Sequence, residues 1–126
     1  MTNSKIICFV ATRDAASARR FYETTLGLKC VSEDAFAIVF DANGTMLRVQ
    51  KVKELSPAQY TALGWEVADI AARIRVLSEK GVRFERFPGV PQDELGVWTS
   101  PSGAKVAWFK DPDGNTLSLT EFVNDV

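Results

Sequence analysis

The chain has 126 residues, of which 46% are hydrophobic and 25% are charged, and this is the size and composition of one ordinary globular domain. The net charge is -1, so the sequence lacks the basic footprint of a nucleic-acid-binding protein. No histidine is present, which excludes the commonest general base, Ser-His and Cys-His nucleophile pairs, and every His-ligated metal site.

The two cysteines predict free thiols. Cys8 and Cys30 are too few for a disulfide framework and too far apart for a CxxC site, as expected of a reducing compartment. The apolar run near the N-terminus is too short for a secretory signal, and no run reaches the roughly 18 apolar residues of a membrane span. The sequence therefore predicts a cytoplasmic protein that binds neither membrane nor nucleic acid.

The first half of the chain predicts the element order β-α-β-β-β. Asp14 can cap a helix, because a carboxylate accepts the free amides of a first turn, and Gly27 suits the end of that helix. Asn43 and Gly44 predict a hairpin turn, since both tolerate positive φ. The predicted strands of this half cover 6–12, 28–31, 36–40 and 46–52.

The second half predicts the same kind of unit. Asp69 can cap a second helix that ends near Gly81, and the segment 111–114, Asp-Pro-Asp-Gly, predicts a tight turn. Its predicted strands cover 63–67, 82–87, 97–100, 105–110 and 116–122.

Residue identities indicate that the two halves are duplicates. The matched pairs are Asp14 with Asp69, Ala16 with Ala71 and Arg20 with Arg75 at one constant offset, and Ala37 with Ala107, Asp41 with Asp111, Gly44 with Gly114 and Leu47 with Leu117 at a second one. We therefore predict one domain, 1–126, built from two modules at about 5–53 and about 61–122.

Alternation of side chains separates two faces of the predicted sheet. One is apolar and is expected to lie under the helices: Ile6, Cys8, Val10, Leu47, Val49, Leu63, Trp65, Val67, Leu117 and Leu119. The other is mixed: Ile7, Phe9, Ala11, Met46, Arg48, Gln50, Ala62, Gly64, Glu66, Thr116, Ser118 and Thr120. The mixed face is either solvated surface or the wall of a ligand pocket, and Ile7 and Phe9 beside two charged residues favour a pocket.

Two segments carry a family resemblance. RFYETTLGL at 20–28 and WFKDPDGN at 108–115 resemble the vicinal oxygen chelate superfamily, which includes glyoxalase I, extradiol dioxygenases, fosfomycin-resistance thiol transferases and bleomycin-resistance proteins. The resemblance covers nearly the whole chain. It implies an α+β fold in which two β-α-β-β-β modules form a curved, mostly antiparallel mixed sheet, a cup that holds the ligand, with helices on the outer face. It also implies a homodimer.

The resemblance further implies four metal-ligand positions, which fall on Ile7, Arg48, Ala62 and Ser118. Isoleucine and alanine have no donor atom, arginine is permanently cationic, and a lone serine hydroxyl is a weak ligand. Catalytic sites of this kind need about three protein donors. We therefore predict no bound metal and no cofactor.

Arg48 is the sharpest candidate for a ligand contact, because a guanidinium can hold a carboxylate, phosphate or enolate oxygen bidentately. It could instead pair with Glu66 across the cup or extend into water. Glu66 is a weak catalytic candidate, since a general base of this type needs burial. Ser118 could donate a hydrogen bond to a ligand, and Trp98 could line the mouth of the cup or an interface. The predicted ligand-binding residues are Ile7, Phe9, Arg48, Gln50, Glu66, Trp98 and Ser118.

These observations favour a metal-free protein that binds a small molecule. The alternative is a lyase, isomerase or dioxygenase of the same superfamily, either metal-dependent or acting through Glu66 and Arg48. A third possibility is an interaction module without a small ligand. The fold alone does not decide among them, because one fold hosts many functions.

Overall fold

The computed structural model describes residues 1–123 of the chain. Its strands are β1 (Ile7–Thr12), β2 (Lys29–Glu33), β3 (Ala37–Ala42), β4 (Thr45–Lys51), β5 (Leu63–Glu66), β6 (Trp98–Thr99), β7 (Lys105–Lys110) and β8 (Thr116–Glu121). Its helical segments are α1 (Ala15–Arg19), a π-helical segment (Arg20–Thr25) and α2 (Ile70–Glu79). No helix within these residues is long and apolar enough to cross a membrane.

The described residues form two compact units. The first consists of Met1–Pro57 together with Asp111–Asn115, and the second consists of Ala58–Lys110 and the described residues from Thr116 onward. Each unit has the element order β-α-β-β-β and a four-stranded mixed sheet, with strand order β1-β4-β3-β2 in the first and β5-β8-β7-β6 in the second. In both, the first and last strands of the unit pair in parallel and the remaining pairs are antiparallel. The predicted α+β class and the duplicated unit are confirmed.

The predicted caps and turns are present. The Asp14 carboxylate accepts hydrogen bonds from the backbone N–H and the hydroxyl of Ser17, at 3.1 and 2.8 Å, and the Asp69 carboxylate accepts the Ala72 N–H at 3.1 Å. Asn43 and Gly44 have positive φ, of 52° and 92°, which is what a tight β3–β4 hairpin requires. Local side-chain chemistry therefore sets these boundaries.

Two predicted elements differ from the structure. The first helix is α-helical only to Arg19 and then widens into the π-helical segment Arg20–Thr25. The predicted strand 82–87 is not a strand, since it makes only an isolated bridge between Phe84 and Phe109. The Gln92 side chain explains this, because it bonds Phe87 N–H and Glu85 C=O at 2.9 and 3.0 Å and so occupies groups that a ladder would use.

The apolar face lies in the core of each unit. The buried hydrophobic residues of the first unit on this face or packed against it are Val10, Ala18, Tyr22, Ile38, Phe40, Leu47 and Val49. Ala37 and Val39 are also buried, although the register places them on the mixed face, opposite Gln50 and Arg48. In the second unit α2 buries Ile70, Ile74 and Leu77, and β7 and β8 bury Ala107, Phe109, Leu117 and Leu119. The prediction was wrong for Ile6, which is 74% exposed because it precedes β1, where alternation does not apply. Thr116 and Ser118, predicted on the mixed face, are buried.

A buried polar network holds the predicted turn at 111–114 in the first unit. Asp111 Oδ1 accepts the N–H groups of Asp113 and Asn115, at 3.0 and 2.9 Å. Asp111 Oδ2 accepts the Tyr22 hydroxyl at 2.7 Å and the Asn115 side-chain amide at 2.8 Å. That amide also donates to the Ala11 carbonyl at 2.9 Å, so the turn is bonded both to β1 and to the π-helical segment.

Candidate functional site

The predicted ligand-binding residues are divided between the two units. Those of the first unit are Ile7 and Phe9 on β1 and Arg48 and Gln50 on β4, whereas those of the second are Glu66 on β5, Trp98 on β6 and Ser118 on β8. In the first unit the four residues lie on the mixed face of one sheet, because β1 and β4 are hydrogen-bonded neighbours.

A row of side chains crosses that face near the start of β1. The strand register pairs Ile7 with Met46, Met46 with Asp41, and Asp41 with Lys29. Directly opposite residues on neighbouring strands project to the same side of a sheet, so this row places two apolar and two charged side chains together. Ile7 is 47% and Met46 is 41% exposed, so two large apolar side chains on adjacent strands form a contiguous exposed apolar surface.

The next row along the same face contains the pair Phe9 and Arg48. Phe9 is 51% exposed, and Arg48 is half-buried. Arg48 makes no hydrogen bond or ion pair with another described residue of its unit. Hydrogen bonds from the Phe36 and Ala37 amides lower the pKa of the Asp34 carboxyl, and the charge of Arg48 lowers it further. The guanidinium thus has donors to offer a ligand.

A cavity of about 470 Å³ lies against the first row, and this volume is in the range of small-molecule binding sites. Its apolar lining residues are Ile6, Ile7, Val31, Val39, Phe40 and Met46. Ile6 and Val31 are 74% and 59% exposed. Among the predicted ligand-binding residues, Ile7 lines this cavity, while Phe9 and Arg48 occupy the adjoining row.

The charged lining residues are Lys5, Lys29 and Asp41. Asp41 Oδ1 accepts the Gly44 N–H at 2.8 Å, so this carboxylate is part of the β3–β4 turn. Neither lysine side chain forms a hydrogen bond or an ion pair with another residue of the described first unit. The cavity therefore has apolar walls, two ammonium groups without a partner among the described residues of the first unit, and one carboxylate that is hydrogen-bonded to the Gly44 N–H.

The four metal-ligand positions that the resemblance implies hold residues that do not fit a metal ion. Ile7 and Ala62 have no donor atom, Arg48 is cationic, and Ser118 supplies one weak hydroxyl ligand. Among residues 1–123 no group of three or more His, Cys, Asp or Glu side chains is placed to hold a metal ion. We therefore derive no chemistry through a metal at these positions.

In the second unit, Trp98 belongs to an aromatic cluster that sequence reasoning missed. Its ring centroid lies 6.1 Å from that of Trp108, which in turn makes an edge-to-face contact with Phe87 at 5.4 Å. The Trp108 ring nitrogen donates to the Thr61 hydroxyl at 3.2 Å. The register pairs Trp108 with Ser118, so alternation along β7 would have placed this tryptophan on the mixed face.

Ser118 and Glu66 have contrasting surroundings. Ser118 is 7% exposed, and its hydroxyl lies 2.7 Å from where a Cβ at Gly64 would be, so the neighbouring strand approaches it closely. Glu66 is exposed and pairs with Thr120 across the strands. The burial that a carboxylate general base requires is lacking at Glu66.

The cavity residues other than Ile7 were not among the predicted site residues. Lys5 precedes β1, and Lys29 begins β2, so neither carried a motif. In the sequence, Asp41 indicates only the duplication, and Met46 belongs only to the predicted mixed face. Only the four-strand register brings these positions together, and alternation within one strand does not give that register.

The family model described as Glyoxalase/Bleomycin resistance protein/Dioxygenase superfamily matches residues 6–119. No curated protein matches the chain. The glyoxalase family protein from Enterococcus faecalis is 21% identical at a TM-score of 0.75, with 96% of this chain and 100% of that one covered. The lactoylglutathione lyase from Agrobacterium tumefaciens is 16% identical at a TM-score of 0.73, with 94% and 93% covered. The glyoxalase/bleomycin resistance protein/dioxygenase from Alicyclobacillus acidocaldarius is 21% identical at a TM-score of 0.68, with 98% and 94% covered. At these identities the likeness establishes a shared fold.

Proposed function

Because the chain belongs to the Glyoxalase/Bleomycin resistance protein/Dioxygenase superfamily, we propose that it uses the strand face typical of that family to bind a small organic molecule without a metal ion. The observation that carries this proposal is the cavity of about 470 Å³ with its apolar lining on the mixed face of the first sheet. Apolar walls with a few polar groups are the usual composition of a small-molecule site.

The residues at the family metal positions support binding without a metal. Ile7 and Arg48, both of the first unit, replace ligands with an apolar and a cationic side chain. Binding of an organic molecule needs shape, burial of apolar surface and a few hydrogen bonds, all of which these strands can supply. In this proposal Arg48 is a hydrogen-bond donor to a polar group of the ligand.

An enzymatic function is the second candidate. The Agrobacterium tumefaciens protein of similar fold is a lactoylglutathione lyase, and its likeness to this chain is one of fold. A lyase, isomerase or dioxygenase reaction would require either a metal bound elsewhere or acid-base chemistry by Glu66 and Arg48. The exposure of Glu66 weighs against the latter.

Native mass spectrometry of the protein purified without chelator tests the proposal. We expect a metal-free species that carries an organic mass, in the homodimer that the family resemblance implies. A stoichiometric metal ion on the folded species would contradict the proposal and favour the enzyme. A folded species that carries neither, and that no small organic compound stabilises against heat, would favour an interaction module.

A matched pair of variants locates the binding. Ile7→Glu places a charge on the cavity wall, whereas Val76→Glu places one on α2, outside the cavity, at a residue of similar exposure (47% against 43%). We expect the organic mass to be lost from the first variant and retained by the second. Retention by both would place the ligand elsewhere.

A further inference from the structure

The apolar cavity of the first unit has an excess of positive charge at its walls. Lys5 and Lys29 contribute two ammonium groups and Asp41 one carboxylate, although the whole chain has a net charge of -1. Lys5 precedes β1 and Lys29 begins β2, which are the two edge strands of the sheet. Three strand spacings separate these edges, roughly 14 Å, so the lysines lie on opposite sides of the cavity.

The two lysines are available to a ligand. Asp41 is directly opposite Lys29 in the register, yet its carboxylate bonds the Gly44 N–H at 2.8 Å and forms no ion pair with Lys29. Lys5 has no carboxylate opposite it in the row, because the register begins at Ile7. Of the two lysines, only Lys29 has a carboxylate directly opposite it in the register, and we therefore assign the main role to Lys5.

Apart from Asp41, which lies opposite Lys29, the wall between the lysines is apolar and partly exposed. Ile7, Val31 and Met46 are 47%, 59% and 41% exposed, and they come from three different strands. Contiguous exposed apolar surface of this kind marks a binding site more often than plain surface. Gly44 at the β3–β4 turn has no Cβ, and a Cβ added there would meet nothing within 4 Å, so the space above the turn is open.

We propose that this cavity binds an amphiphilic anion, whose apolar body covers Ile7, Val31 and Met46 and whose carboxylate or sulfonate is hydrogen-bonded by Lys5. The charge of Lys29, at the opposite side of the cavity, adds a weaker attraction over a longer distance. The inference rests on the proposed function and names the class of ligand that it leaves open. A neutral ligand of the same shape would cover ammonium groups without replacing their water, and a cationic one would be repelled. An anion replaces that water with a charge-assisted hydrogen bond.

Decanoate, decan-1-ol and decylammonium test this inference, because they share an apolar chain and differ in the charge of the headgroup. Isothermal titration calorimetry on the full chain, below the concentration at which the probes aggregate, gives the three affinities. We expect decanoate to bind roughly ten times more tightly than decan-1-ol, and decylammonium more weakly than both. The preference for decanoate should shrink as salt is added.

Variants with matched net charge test whether Lys5 and Lys29 bind the anionic headgroup. We expect Lys5→Gln to remove most of the preference for decanoate, Lys29→Gln a smaller part, and the double variant all of it. The control is the double variant Lys53→Gln/Lys110→Gln, which makes the same change in net charge at two exposed lysines that do not line the cavity. This control should keep the preference.

Each other outcome has a defined meaning. Equal affinity for decanoate and decan-1-ol would overturn this inference and leave the proposed function standing. Binding of none of the three probes would also overturn the inference, and the native mass spectrum of the same preparation then decides separately whether the proposed function stands. A larger loss in Lys29→Gln than in Lys5→Gln would overturn the role given to Lys5. If Arg48→Gln loses the preference for decanoate over decan-1-ol and the lysine variants keep it, the anion binds in the row of Phe9 and Arg48 instead.

Discussion

Among the described residues, Tyr22 is the largest fully buried side chain, and its hydroxyl donates a 2.7 Å hydrogen bond to Asp111 Oδ2. Burial, with the charge of Asp111 beside it, raises the pKa of Tyr22 far above its ordinary value of 10.0. The folded state therefore requires the neutral phenol, because a phenolate at this position would lie without water next to a carboxylate. One proton thus holds the turn at 111–114 against the π-helical segment.

This proton predicts a loss of stability in alkaline solution. In the unfolded chain Tyr22 ionises near pH 10.0, its ordinary pKa, whereas the folded chain retains the proton. The unfolded state then binds fewer protons, so the free energy of unfolding falls with rising pH, by up to about 1.4 kcal/mol per pH unit from this group. Urea unfolding followed by tryptophan fluorescence, at a series of pH values below and above this pKa, measures the effect.

Tyr22→Phe is the control for that experiment. It lacks the hydrogen bond to a carboxylate, so we expect it to be about 2 kcal/mol less stable than the wild type at neutral pH. Above the pKa of a free tyrosine the difference should narrow, because the variant has no phenol to deprotonate. Parallel pH profiles for the two proteins would show that Tyr22 does not carry the alkaline effect.

At the scale of the elements, the strands and caps were predictable because their signals are local. Alternation placed β7 at 105–110, where the structure has it, and a single carboxylate caps each helix at Asp14 and Asp69. The segment 82–87 was not predictable in this way. Its apolar residues satisfy a strand pattern, yet Gln92, several residues further along, bonds its backbone groups and leaves one isolated bridge.

The pairing of β5 with β8 predicts that Gly64 cannot be enlarged. A Cβ at Gly64 would lie 2.7 Å from the Ser118 hydroxyl oxygen, which is buried and short and so has little freedom to move away. We expect Gly64→Ala to lower the free energy of unfolding by about 1–3 kcal/mol, as overpacked substitutions do. Chemical denaturation measures this change.

The double variant Gly64→Ala/Ser118→Ala separates the contact from other effects of the substitution. Without the hydroxyl, the nearest remaining atoms are the Ser118 carbonyl oxygen and Cβ, at 3.6 and 4.0 Å, which are ordinary contacts. We therefore expect the second substitution to restore most of the lost stability. A double variant as unstable as Gly64→Ala would mean that the cost arises elsewhere, for example in the backbone of β5.

At the scale of the whole molecule, the duplication was predictable and the cavity was not. Matched residues such as Asp14 and Asp69 indicate the repeat, because in each half a carboxylate caps the first turn of the helix. The cavity depends on Lys5, Lys29 and Met46, which are far apart in the chain and meet only through the register of four strands. The predicted ligand-binding residues other than Ile7 stay predictions that the ligand experiments address.

The position of the turn at 111–115, in the first unit but between two strands of the second, predicts one cooperative unfolding transition. Residues Asp111–Asn115 belong to the first unit, but they close the hairpin between β7 and β8 of the second. Unfolding of that hairpin removes the acceptor of Tyr22, so the first unit loses this buried hydrogen bond when the second unfolds. Differential scanning calorimetry should give equal calorimetric and van't Hoff enthalpies, and two resolved peaks would contradict this expectation.

The same five residues also bear on how such a chain can be divided by protein engineers. A fragment that ends at Pro57 contains β1 to β4 and Tyr22, but it lacks the carboxylate to which Tyr22 donates. A repeat detected by sequence comparison would therefore be an incomplete folding unit when it is expressed alone. The fragment would regain this acceptor from a short peptide that carries Asp111–Asn115, either added separately or fused after residue 57.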